Sequence, residues 1–185
     1  MLTPLNLHEA FAEAGEPETL QQLSPATHEA YRLICNSYPH GLTIIRVECG
    51  ANPEMETLAG DVAPKKLNEA EVAVEEIGAI LPRFSYQLIR HDWEWNQERR
   101  SAQRKLTQIN WVSLRILIRE SRFWELAMNG GSVGVDGCTF TLEGTQKKQY
   151  RKVSRWCPNA NRDREWFVLP CHYLQELADK RKLLS

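Results

Sequence analysis

Two short runs in the last third of the chain alternate between apolar and polar positions. One is Cys138-Thr-Phe-Thr-Leu-Glu-Gly144 and the other Tyr150-Arg-Lys-Val-Ser-Arg-Trp156. Alternation of period two predicts strands, and the polar turn Gln146-Lys-Lys-Gln149 between them predicts a hairpin with a four-residue loop. That loop sets Leu142 opposite Val153, Thr141 opposite Ser154 and Glu143 opposite Lys152, each a compatible cross-strand pair. A slip of one residue would place Leu142 against Lys152 and exchange the two faces. The predicted buried face carries Cys138, Phe140, Leu142 and Val153. The predicted wet face carries Thr141, Glu143, Lys152, Ser154 and Trp156.

The same reading extends along the chain. Residues 5–14 have helical periodicity with Leu7, Phe11 and Ala14 on one side, stopped by Gly15 and Pro17. Tyr31 to Tyr38, the turn Pro39-His-Gly41 and Leu42 to Glu48 predict an antiparallel hairpin, although Thr27 to Cys35 also fits a continuing helix. A further strand is expected over Thr57 to Val62. Asn68 to Leu81 reads as a helix with Leu67, Ala70, Val74, Ile77 and Leu81 on one face, ended by Pro82. Phe84 to Ile89 and Lys105 to Gln108 are strand candidates. Asn110 is the expected cap of a helix reaching about Leu126, with Trp111, Leu114, Leu117 or Ile118, and Phe123 inward. The last helix is expected over Pro170 to Lys182, with Leu174, Leu177 and Ala178 facing the core.

These elements predict a single α+β domain, with an antiparallel sheet of about five strands and helices packed mainly on one face. Residues 1–26 read as a helical appendage. Residues 27–185 read as the domain, carrying a helical and then aromatic and charged insertion at about 68–100.

Length and composition narrow the class. The chain has 185 residues, 42% of them hydrophobic and 25% charged, as in an ordinary water-soluble domain. Its apolar runs are shorter than a membrane helix needs, and its first residues lack the pattern of a secretory signal. Five irregularly spaced cysteines, at 35, 49, 138, 157 and 171, then suggest free thiols in a reducing cytoplasm. The net charge of −1 argues against general nucleic-acid binding. Residues 1–89 hold 5 basic and 13 acidic side chains, whereas residues 90–185 hold 18 and 11. An acidic first half would suit a basic partner if the asymmetry survives folding.

The motifs with chemical potential are weak. Adjacent Cys171-His172 with distant Cys157 lacks zinc-ligand spacing, and neighbouring helical side chains diverge by about 100°. Cys157 or Cys171 as nucleophile would need a histidine base that the spacing does not supply. The glycine-rich Gly130 to Gly137 lacks the Gly-Lys-Ser/Thr ending of a phosphate loop and leads into a strand. Asp136 with Glu143 lacks a third acid–base partner, and Lys152 accounts for Glu143. No metal, cofactor or catalytic residue is expected. The stretch from Trp93 to Lys105 interleaves Trp93, Trp95, Arg99, Arg100 and Arg104 with Asp92, Glu94 and Glu98. Tryptophan and arginine favour a protein partner, and the acids oppose phosphate. The candidate partner-binding residues are therefore Trp93, Trp95, Arg99, Arg100, Glu143 and Trp156.

The motif order Phe123-Trp124, Asp136-Gly137, Phe140-Thr-Leu-Glu-Gly144, Tyr150 and Arg155-Trp156-Cys-Pro158 resembles a widespread group of small uncharacterised bacterial proteins. Their signature is DG-x-x-W-x-LEG, then Y, then RW-x-P; this chain has Phe140 where Trp is usual, and adds the segment around 68–95. The resemblance spans roughly residues 27–178. It implies a fold and a bacterial source, and it carries over no activity and no catalytic residue. The functional expectation is a non-enzymatic, cytoplasmic protein-binding module, with a toxin-neutralising immunity protein as its specific form. The alternative is a hydrolase or nucleic-acid-processing enzyme whose site is assembled from distant residues.

Overall fold

The computed structural model describes residues 7–24, 27–37, 41–51, 84–93, 100–130, 137–147, 149–156 and 167–179. The expected strand over Thr57 to Val62 and the expected helix over Asn68 to Leu81 lie outside these residues. One sheet organises the rest. Its strands are β1 (Thr27–Ser37), β2 (Gly41–Ala51), β3 (Phe84–Trp93), β4 (Arg100–Lys105), β5 (Asn129–Gly130), β6 (Cys138–Gln146) and β7 (Gln149–Trp156). They lie in the order β4-β3-β2-β1-β6-β7-β5, antiparallel except for the two-residue β5, which runs parallel to β7. The architecture is the single-domain α+β fold read from the sequence, with two more strands than the five expected.

The hairpin register is the one the side-chain pairing demanded. Leu142 pairs with Val153, Thr141 with Ser154 and Glu143 with Lys152. The ladder runs further than expected, through Thr145↔Tyr150 to Gln146↔Gln149, and Lys147 turns the chain at φ 56°. β1 is a strand throughout, so the helical alternative for Thr27 to Cys35 falls away. β3 continues to Trp93, past the point where a charged loop was expected, because Leu42, Thr43 and Ile44 on β2 pair with Trp93, Asp92 and His91. β4 lies at Arg100–Lys105 rather than Lys105 to Gln108, since Gln87 to Asp92 pair with it in register.

Two helices cover one face. Helix α2 (Gln108–Glu120) begins one turn earlier than expected because Thr107, not Asn110, is its cap. The Asn110 amide N–H donates to Thr107 Oγ1 at 3.2 Å, and the Thr107 amide N–H donates to Asn110 Oδ1 at 3.2 Å, a reciprocal capping box. It stops at Glu120 because Arg122 takes a left-handed conformation, φ 48° and ψ 35°, and Phe123–Glu125 form a single 3-10 turn. Helix α3 spans Val168–Asp179. Trp111, Leu114 and Ile118 from α2 and Leu174, Leu177 and Ala178 from α3 meet Tyr31, Leu33, Val47, Leu88, Leu142 and Val153 of the sheet in the main core. Gly144 is required in this layer. A Cβ there would lie 2.7 Å from Phe123 Cε1 and 3.0 Å from the Tyr31 ring, inside van der Waals contact with two buried side chains.

The opposite face is covered by the N-terminal segment, which corrects the expected wet face of the hairpin. Helix α1 (Leu7–Ala14) buries Ala10 and Phe11 against Ile34, Leu42, Ile44 and Trp93, while Leu7 stays exposed. Gly15, at φ 66°, closes α1. The Gly15 N–H donates to Ala12 O at 3.2 Å and the Glu16 N–H to Phe11 O at 2.9 Å, which is the Schellman pattern. That turn carries Glu16 into the interior. Residues 7–24 are therefore a second layer of the domain, not an appendage to it.

Candidate protein-binding surface

Under α1 lies a buried ionic network. Arg32, in the middle of β1, has no solvent exposure and bridges two layers. Its NH2 donates to Glu143 Oε2 at 2.5 Å and to Glu18 O at 2.9 Å, and its NH1 donates to Pro17 O. Glu16 Oε2 lies 3.4 Å from NH1, and the Phe11 ring stacks 4.5 Å from the guanidinium. Glu16 Oε1 meanwhile accepts from Arg46 Nε at 3.1 Å and lies 3.5 Å from His91 Nε2. Lys152 Nζ approaches Glu143 Oε1 at 3.3 Å from the solvent side. Beside it, burial and the Glu143 carboxylate push the Tyr150 hydroxyl up to about 12.

Burial raises the Glu16 carboxyl, but the His91 hydrogen bond and the Arg46 and Arg32 charges more than offset it, leaving it below the usual carboxylate value of 4.5. A depressed carboxyl stabilises the fold above its unfolded-state value and stops doing so as pH falls through the folded value. Urea midpoints taken from neutral pH into acid should therefore fall below the ordinary carboxylate range, and the fall should be shallower in Glu16→Gln. An unchanged acid limb in that variant would remove Glu16 from the account.

The sequence-derived binding residues that are described, Trp93, Arg100, Glu143 and Trp156, do not form one surface. Trp93 is only 7% exposed, packed under α1 with its indole N–H donating to Glu13 Oε2 at 3.3 Å, so it is no anchor for a partner. Glu143 is fully buried on Arg32 and is likewise closed to a partner. Arg100 is exposed at the start of β4, paired in register with Asp92. Trp156 is half-buried at the end of β7. β3 and β7 are separated by three strands, roughly 19 Å at ordinary strand spacing. Trp95 and Arg99 lie outside the described residues, as do Asp136 and Cys157.

Three of the described thiols, Cys35, Cys49 and Cys171, are set in the core, and Cys138 is partly buried. Burial pushes Cys35 up to about 12, Cys49 up to about 11 and Cys171 well above its ordinary value. Cys171 Sγ donates to Phe167 O at 3.2 Å while His172, next along α3, faces outward. Among the described residues no group of three or more His, Cys, Asp or Glu side chains is placed to hold a metal ion.

The surface that sequence reasoning missed is the outer side of α2. Ile109, Val112 and Ile116 recur at i, i+3 and i+7 and are 77%, 45% and 46% exposed. α2 thus has two apolar faces, of which the sheet uses one. Val112 and Arg115 line two clefts beside the stripe. One, of about 420 Å³, is shared with Glu29, Tyr31, Ile116, Arg119, Arg122 and Trp124. The other, of about 580 Å³, is shared with His28, Cys49, Phe84, Tyr86, Trp111 and Lys147. Arg115 is fixed between them by Glu29 at 3.3 Å, and Glu29 in turn accepts from the Tyr31 hydroxyl at 2.7 Å. The helical wheel held the signal, because Ile109, Val112 and Ile116 cannot share a face with Trp111, Leu114 and Ile118.

No protein-family model, no curated protein and no solved structure matches the chain. No helix among the described residues is long and apolar enough to cross a membrane. Three of the residues that carry the resemblance to the uncharacterised bacterial group, Glu143, Gly144 and Arg155, have internal uses here. Glu143 holds Arg32, and Gly144 lets Phe123 and Tyr31 close up. Arg155 donates to Ala127 O at 3.2 Å beneath the Phe167 ring.

Proposed function

We propose that the chain is a non-enzymatic, cytoplasmic protein-binding module, and specifically an immunity protein that neutralises a bacterial toxin by occupying it. The observation that carries this reading is the second apolar face of α2. A helix already satisfied by its own core has nothing to gain from three more exposed aliphatic side chains, and contiguous exposed apolar surface beside polar clefts is a feature of protein interfaces. Phosphate-backbone recognition would call for cations in that central position, where the stripe offers aliphatic carbon. The partner-binding role thereby moves from the β3–β4 region to α2.

The test is affinity capture of the tagged chain from a bacterium that carries its gene, followed by co-expression with the captured protein. Rescue of growth from that protein's toxicity is the expected outcome. Turnover of a small substrate or nucleic acid that is lost on substituting a cysteine or histidine, with no protein captured, would overturn it in favour of the enzyme.

A further inference from the structure

The rim of the α2 surface carries Arg115, Arg119, Arg122 and Lys147 against Glu29 and Glu125, and two of its cations occupy conformations that other residues adopt with less strain. Arg122 sits at φ 48° and Lys147 at φ 56°, the left-handed region that glycine and asparagine favour. Arg122 lines the first cleft together with Glu125, Lys147 lines the second, and Val112, Arg115 and Glu29 line both. Arg115 is matched by Glu29, and Arg119 by Glu120 at 2.9 Å. Neither Arg122 nor Lys147 has a carboxylate partner among the described residues. The apolar stripe is therefore bordered on its Arg115 side by two positive charges without a carboxylate partner among the described residues, and each is kept at a backbone position where a side chain other than glycine is strained.

We infer that this surface docks an acidic amphipathic helix of a partner protein, with apolar anchors seated on Ile109, Val112 and Ile116 and carboxylates turned to Arg122 and Lys147. The inference rests on the protein-binding reading above and adds the partner's chemistry. The i, i+3, i+7 spacing spans about 10 Å, two helical turns, and matches the repeat of a helix laid along it. A second copy of this chain, related by a two-fold axis, would bring this same set of cations toward its own cations. An acidic segment neutralises both.

The test uses a fluorescein-labelled peptide of about 16 residues with leucine at i, i+3, i+4 and i+7 and glutamate elsewhere. Two controls accompany it: the same peptide with lysine for glutamate, and a scrambled peptide of the first composition. Fluorescence anisotropy on the full chain should show the acidic peptide binding at least about 10-fold more tightly than either control, and more weakly as salt is raised. Val112→Asp and Ile116→Asp should each weaken it by about 10-fold or more at an unchanged melting temperature. Arg122→Gly should weaken binding while raising the melting temperature, a combination that a purely structural role for Arg122 does not give.

No preference for the acidic peptide overturns the inference. So does a dimer in light scattering that Ile116→Asp dissociates, since a second copy then covers the stripe. A melting temperature lowered by Ile116→Asp would mean that the chain itself covers it, and tighter binding of a nucleic acid than of the acidic peptide would assign the cations to phosphate. A captured toxin whose binding ignores all three substitutions would leave the protein-binding reading standing and remove this surface from it. Peptide binding without any captured toxin would do the reverse.

Discussion

Replacing Arg32 with alanine should cost the fold more than any other single polar substitution, about 3–5 kcal/mol or enough to prevent folding. The guanidinium is wholly buried and serves Glu143, Glu16 and the carbonyls of Pro17 and Glu18 at once. Its loss leaves Glu143 with Lys152 as its one ion-pair partner among the described residues, and leaves two carbonyls without this donor in a buried layer. Glu143→Ala should be severe but milder, because Arg32 keeps Glu16 and both carbonyls. Lysine at position 32 should rescue little, since one ammonium cannot reach acceptors spread around a planar fork. Urea unfolding of the three variants checks the ranking; Arg32→Lys matching the parent would show that charge alone, without the fork, holds the N-terminal layer.

That network is the feature the sequence concealed, and the reason is physical. A strand face bearing arginine, glutamate and threonine at alternate positions has the composition of a solvated face, because buried ion pairs recruit the same residue types. What distinguishes the two is a cover, here supplied by residues 10–23, more than a hundred positions before Glu143. One local sign existed. From Glu29 to Cys35 every residue of β1 is buried, and Ala30-Tyr-Arg-Leu-Ile-Cys35 is nearly continuous apolar sequence, the pattern of a strand covered on both sides. Arg32 inside such a run had to be paired. Trp93 was misplaced for a related reason: among charged neighbours it read as a loop anchor, whereas the β2–β3 ladder turns it under α1.

The hairpin was legible because several pairs agreed with one register and conflicted with the next. The extent of α2 was less so. The cap expected for its N-terminus was Asn110, whereas Thr107 is the cap and Asn110 the other half of its capping box. Its end depends on a left-handed arginine, a conformation that residue identity does not announce. The outer stripe needed no tertiary information at all. Ile109, Val112 and Ile116 lie a consistent angle away from the inward set, so a full wheel of the helix separates a core face from a second, exposed apolar face.

The second large effect is expected at Leu142, where the register can be read as energy. Leu142 is completely buried between Val153 on β7 and Leu33 on β1, on the face that α2 and α3 cover. Truncation to alanine removes three buried carbons from a layer packed on both sides by strands and above by helices. It should cost about 2–5 kcal/mol, toward the upper end because the neighbouring strands cannot collapse into the space. Thr141 is the adjacent residue and points to the opposite face, where its hydroxyl meets Ser154 Oγ at 2.9 Å. Thr141→Ala gives up that bond and leaves one hydroxyl short of a partner, a loss of about 1 kcal/mol. Paired urea titrations should therefore separate two neighbouring positions by at least about 1 kcal/mol, with Leu142 the worse loss. A reversed order would mean that the polar layer under α1, rather than the aliphatic layer under α2 and α3, carries the stability of the hairpin.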